Sequence, residues 1–234
     1  LASRWYPPEH QGKAMGLAGM GNSGTVLAAL FAPGLAPLFG WNSVLGLACI
    51  PLTIVFIAYL FLAKDAPNTP APKKLIDYFE PLKTVDAWWL MGFYSVTFGG
   101  FVGLAASLTI YFTDQFHLTP VIAGYCTAGC VFAGSLALFV IALLALGTCF
   151  GSVFQLVPQR FSEVFGVMSG LVGLAGGVGG FYLASSLGFA KQWTGSFAPG
   201  FYIFAGLALA ALAALMFVKR QWRTTWSAAE GVRI

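Results

Sequence analysis

Few side chains in this 234-residue sequence are equipped for chemistry, and their spacing limits what that chemistry can be. Cys126 and Cys130 would share one face of a helix, yet no His or carboxylate stands beside them to complete a metal site. Together with Cys49 and Cys149, which also lie inside apolar runs, they read as inert thiols, and no metal or cofactor is expected. His10 and His117 fall in loops. No Ser, His and Asp combine into a nucleophile–base arrangement, which argues against an enzyme. What remains is Asn22, the one strong hydrogen-bonding side chain in a stretch crowded with Gly12, Gly16, Gly19, Gly21 and Gly24. By itself it reads as a hydrogen bond between helices. No Asp, Glu, Lys or Arg lies well inside an apolar segment, so the sequence offers no buried proton relay of the kind proton-driven carriers use.

The elements that must hold these residues are membrane helices. The sequence is 58% hydrophobic and 9% charged, against roughly 25% charged in an ordinary soluble domain. Its mean hydropathy of +0.80 agrees. The formal net charge of +4 sits in loops and at span ends, where it reports orientation rather than nucleic-acid binding. Spans are predicted at about residues 14–39, 43–63, 87–112, 164–190 and 197–218. Pro33 and Pro37 are expected to bend the end of the first, and Gly40 to Asn42 to form a turn. Residues 64–86, rich in Pro and Lys, form the only substantial hydrophilic stretch and read as a cytoplasmic linker between two helical halves. Residues 114–119 are expected as a loop, with Pro120 in the first turn of the next helix. The chain begins on Leu1 rather than Met, which fits a segment of a longer protein.

The uncharged run 121–157 is too long for one crossing, since a straight helix of that length would extend roughly 55 Å. The basic linker and the basic tail, with Lys219, Arg220, Arg223 and Arg233, should both be cytoplasmic. Between them the number of crossings must be even, so this run must count as an odd number. An internal loss, in which three original spans collapsed into the remains of two, satisfies both length and parity.

An internal repeat follows from the glycines. On a helix Gly12, Gly16 and Gly19 share a face that another helix can approach closely. At a constant offset of 154 positions, Glu9, Gly12, Gly16, Leu17 and Gly19 become Glu163, Gly166, Gly170, Leu171 and Gly173. Each copy follows a loop containing Pro and Arg. Paired repeats around a midplane site are a mark of secondary transporters.

At this point the residues resemble a known family. The run from Arg4, Trp5 and Tyr6 through Gly16 to Gly24 resembles the first nitrate signature of the nitrate/nitrite porter family, a branch of the major facilitator superfamily. Phe154 to Phe161, followed by Gly170 to Gly180, resembles its second signature, and Tyr94 to Phe101 looks like its seventh helix. The resemblance implies an all-α integral membrane protein with a partial major facilitator fold, about six transmembrane helices of an original twelve. It implies domains at 1–63 (the second part of the N-terminal half), 64–86 (the linker) and 87–234 (the C-terminal half). After Ala137 the family's central motif should continue with a basic residue. Leu138, Phe139 and Val140 follow instead, placing the internal loss near 137–139.

The implied function is transport of nitrate or nitrite across the inner (plasma) membrane by alternating access, with the C-terminus cytoplasmic and the chain a monomer in the bilayer. Family members are similar in holding the anion with arginines of the second and eighth helices, and neither position exists here. The matched positions that remain are Asn22 as a donor, Gly19 and Gly21 for close approach, Tyr94 and Phe98 as an aromatic wall, and Gly173, Gly176 and Gly177 on the pseudo-symmetric side. Arg160 reads as a clamp to a neighbouring helix end. The alternatives are a carrier for another small solute and a structural remnant that keeps its packing glycines without transport.

Overall fold

The computed structural model describes residues 24–64, 75–132, 146, 149, 151–154, 156–161 and 164–225. Six α-helices account for most of them: α1 (Gly24–Phe39), α2 (Trp41–Leu62), α3 (Val85–Phe116), α4 (Pro120–Phe132), α5 (Phe165–Thr194) and α6 (Ala198–Thr225). A 3-10 helix at Leu75–Lys83 precedes α3, and residues 156–160 are helical. Four helices, α2, α3, α5 and α6, are long and apolar enough to cross a membrane. The described part of α4 has 13 residues, about 20 Å of helix, less than a hydrocarbon core of about 30 Å.

The spans predicted at 43–63, 87–112, 164–190 and 197–218 are present as helices with shifted ends, and α1 is the described part of the one predicted at 14–39, whose start lies outside the described residues. The expected turn at Gly40 to Asn42 shrinks to Gly40 alone, because its φ of 78° reverses the chain at one residue and Trp41 already begins α2. The third helix runs further than expected, so Asp114 lies in its last turn rather than in a loop. It stops where His117 adopts a φ of 54°, and Pro120 opens α4 as predicted. The second half of the hydrophilic linker winds into the 3-10 helix, and Thr84 closes it by donating to the Pro81 carbonyl at 2.7 Å. The expected internal loss at 137–139 lies outside the described residues.

The chain divides into two compact units, residues 1–72 with 107–145 and residues 73–106 with 146–234. In the first, α1 packs on α2 and α4. Gly124 of α4 meets α1 so closely that a Cβ there would lie 2.5 Å from the Ala29 carbonyl oxygen and 2.7 Å from Pro33. Buried Thr127 donates to the Ala123 carbonyl at 2.9 Å, leaving its oxygen to accept from Thr109 at 2.9 Å. This bond ties α3 to α4 where no water is at hand.

The second unit is built by glycine contacts. The start of α3 crosses α5 where a Cβ on Gly99 would lie 2.5 Å from the Gly179 backbone, and one on Gly179 would run into the Ser95 carbonyl. A Cβ on Gly103 would lie 2.8 Å from Leu183, and one on Gly200 of α6 would lie 2.9 Å from Leu187 of α5. Around these crossings Leu90, Leu104, Met168, Val172, Leu183 and Leu187 are buried. The turn from α5 to α6 uses Gly195 at φ 73°, whose N–H caps the Lys191 carbonyl at 2.9 Å. Lys191 lies in the last turn of α5, where a cation complements the helix dipole, and its Nζ stands 5.0 Å from the centre of the Phe197 ring.

Candidate functional site

Tyr94 and Phe98 stand one turn apart on α3, so a helix delivers both rings to the same side. The rings stack with centroids 4.9 Å apart and planes 10° from parallel. Phe154 meets Tyr94 at 89°, also at 4.9 Å, in the edge-to-face arrangement that aromatic quadrupoles favour. Beneath the stack lies Gly176 of α5, where a Cβ would come within 2.6 Å of Tyr94 and 2.7 Å of Phe98. The flat aromatic wall therefore exists because α5 presents bare backbone at that level. Phe154, which opens the second signature without a role implied for it, joins the other two because its turn of residues 151–154 faces α3.

The three C-terminal glycines expected at the site do not behave alike. Gly176 is buried under the rings. At Gly173 and Gly177 a Cβ would meet no described atom within 4 Å, and the same holds for Gly166 and Gly170. These four, spaced by four, three and four residues, form one row along α5. A second row, Gly176, Gly179 and Gly180, is occupied by Tyr94, Ser95, Phe98, Gly99 and Val102 of α3. The three glycines matched by the internal repeat, Gly166, Gly170 and Gly173, all belong to the open row. Gly19, Gly21 and Asn22 lie outside the described residues.

The arrangement combines stacked aromatic rings, with Tyr94 itself buried, and a strip of exposed backbone on α5. It carries no fixed charge of its own: α3 contains no Lys or Arg, and α5 has none before Lys191. Such a wall can orient a small planar solute, and an anion would need its positive partner from elsewhere. Among the described residues no cluster of His, Cys, Asp or Glu could hold a metal. Arg160 sits apart from the rings: its Nε donates to Asp86 at 2.7 Å, the helix-end clamp expected of it.

Long apolar helices joined through glycine crossings are suited to a bilayer, and the comparison with known families gives the class. The family model described as the Major Facilitator Superfamily matches residues 1–147, and the chain belongs to this superfamily. Among curated proteins it is similar to the "Nitrite extrusion protein" of Bacillus subtilis, 28% identical over 266 aligned positions that take in 94% of this chain and 66% of that protein. It is also similar to the "Probable nitrate transporter NarT" of Staphylococcus carnosus, 27% identical over 94% of this chain and 68% of the relative. The "Probable nitrate/nitrite antiporter NarK1" of Thermus thermophilus is 24% identical over 82% of this chain and 60% of the relative. The chain thus spans about two thirds of the length of the curated relatives it matches. No solved structure matches it.

Proposed function

We infer that this chain is an incomplete copy of a nitrate/nitrite carrier of the plasma membrane, whose complete parent moves these anions by alternating access, as uptake or as exchange. The observation that carries the reading is the alignment, along most of the chain, with relatives named for nitrate and nitrite transport. The site is consistent with it. Nitrate is a small planar monoanion with diffuse charge, suited to lie against the rings of Tyr94, Phe98 and Phe154 and to accept from the Tyr94 hydroxyl. Gly173 and Gly177, on the open row, let it approach the backbone of α5, and Gly176 serves by seating the rings. Gly19, Gly21 and Asn22 would supply the equivalent strip and a donor from the first repeat. The basic linker at 64–86 and the basic end of α6 face the cytoplasm, and that linker connects the two halves along the chain.

The alignment also bears on the internal loss. It runs over 266 positions although the chain has 234 residues, so the Bacillus subtilis protein carries residues in that span that have no counterpart here. A loss of helix between the two repeats would leave such a difference, and a loss near 137–139 would remove the arginine-bearing eighth helix. The complete parent is therefore expected to carry nitrate, and this chain alone is not. Purified chain and parent, each reconstituted in liposomes, are compared for uptake of nitrate and nitrite. Flux through the chain as given sinks the claim of incompleteness; a parent with both arginines and no anion flux sinks the transport reading.

A further inference from the structure

Three elements of the second unit end on one carboxylate. Asp86, in the first turn of α3, accepts at Oδ2 from Nε of Arg160 at 2.7 Å and at Oδ1 from Nε1 of Trp222 at 2.9 Å. Arg160 closes the helical residues 156–160 and Trp222 belongs to the last part of α6. The Arg160 side chain is 45% exposed and that of Asp86 21%, and ion pairs so open to solvent add little stability. What this one adds is direction. Each carboxylate oxygen takes one directed donor from a different element, which fixes both about the start of α3.

The consequence runs along α3 toward the rings. Trp222 is buried and meets Phe93 edge-on, at 6.4 Å and 85°, while Phe93 stacks on Trp89 at 5.8 Å. The next residue is Tyr94, eight positions and about 12 Å of helix beyond Asp86. Phe154 lies six positions before Arg160. The clamp and the Tyr94–Phe154 contact therefore join the same two segments at two levels, and a ring pair at 4.9 Å tolerates little sliding between them. We propose that Asp86 is a positioning residue: by holding Arg160 and Trp222 it sets the register that brings Phe154 edge-to-face against Tyr94. The importance of that wall rests on the transport reading; the geometry of the clamp does not.

The test reads the ring contact directly. A fluorine-labelled tyrosine is placed at position 94 of the full chain in nanodiscs and its resonance followed by NMR. Phe154→Leu defines the ring-current contribution of Phe154. Asp86→Ala and Arg160→Gln are each expected to move the resonance in the same direction by at least half that shift. The exchange Asp86→Arg with Arg160→Asp restores the ion pair but leaves the Trp222 N–H without its acceptor, so it is expected to bring the resonance back in part. Asp86→Asn, which keeps an acceptor for Trp222 but no charge for Arg160, covers the case in which Asp86→Ala fails to fold. In the Phe154→Leu background the Asp86 substitutions should add no further shift. An unmoved resonance in the folded Asp86 variants, or an equal shift once Phe154 is gone, would overturn the proposal. No anion is used, so failure here leaves the transport reading standing, and an inactive parent leaves the clamp standing.

Discussion

α2 and α5 are both apolar helices of spanning length, and they have opposite fates. α2 is the more apolar of the two, and not one of its residues is buried. α5, interrupted by glycine throughout, buries Phe165, Met168, Val172, Gly176, Gly180, Leu183 and Leu187. In water the order would be reversed. In lipid an apolar side chain gains nothing by leaving the bilayer for another helix, so apolarity places a helix in the membrane without choosing its neighbours. Close approach of backbones makes that choice. α5 can take the Ser95 carbonyl and the Gly99 backbone into contact because Gly179 has no Cβ, whereas Gly46 of α2 has no described atom within 4 Å of where a Cβ would stand.

That contrast can be broken most sharply at Gly179. Gly179→Val should destabilise the second unit by about 3 kcal/mol, because the new methyls meet backbone that cannot move aside; reversible unfolding in mixed micelles measures it. A smaller loss, about 1 kcal/mol, is expected for Thr127→Val in the first unit, where a single hydroxyl bond joins α3 and α4. Adding Thr109→Val should then cost almost nothing more, and a fully additive double variant would show that the pair is not coupled. On the open row of α5, Gly177→Leu should leave stability within about 0.5 kcal/mol of the original. In a complete parent the same change should cut nitrate flux about tenfold, on the order of 1.4 kcal/mol at the barrier. Equal losses of stability at Gly177 and Gly179 would erase the distinction between the two rows. The smallest effect is reserved for Gly46→Val, which should change neither stability nor flux.

Much of this was legible beforehand. The spans could be read because about 20 apolar residues without charge have one stable fate in a bilayer. Arg160 was readable as a clamp because it stands at a loop–helix boundary rather than well inside a span. The pairing of Tyr94 with Phe98 followed from their spacing of four. Other features were not readable. Nothing in the spacing of Gly173, Gly176 and Gly177 separates the glycine that seats the rings from the two left open, since neighbouring glycines differ only in which side of the helix the partner occupies. Phe154 was equally hidden among 22 phenylalanines. The helix ends at Gly40 and His117 depended on single backbone angles, which residue type permits but does not set.

Composition and periodicity by themselves determined that this is a multi-pass helical membrane protein, with two glycine-rich copies of one motif and no charge deep in its spans. Those properties follow from how each residue meets lipid or its own helix, so the order of the chain suffices to specify them. The tertiary structure alone decided which glycines are packed and which are open, that Phe154 completes the aromatic wall, and that Asp86 gathers Arg160 and Trp222. Each of these depends on the rotation of one helix about its axis relative to another. In a bilayer that rotation is set by side-chain and backbone fit at the crossing, a property of pairs of helices that no single segment carries.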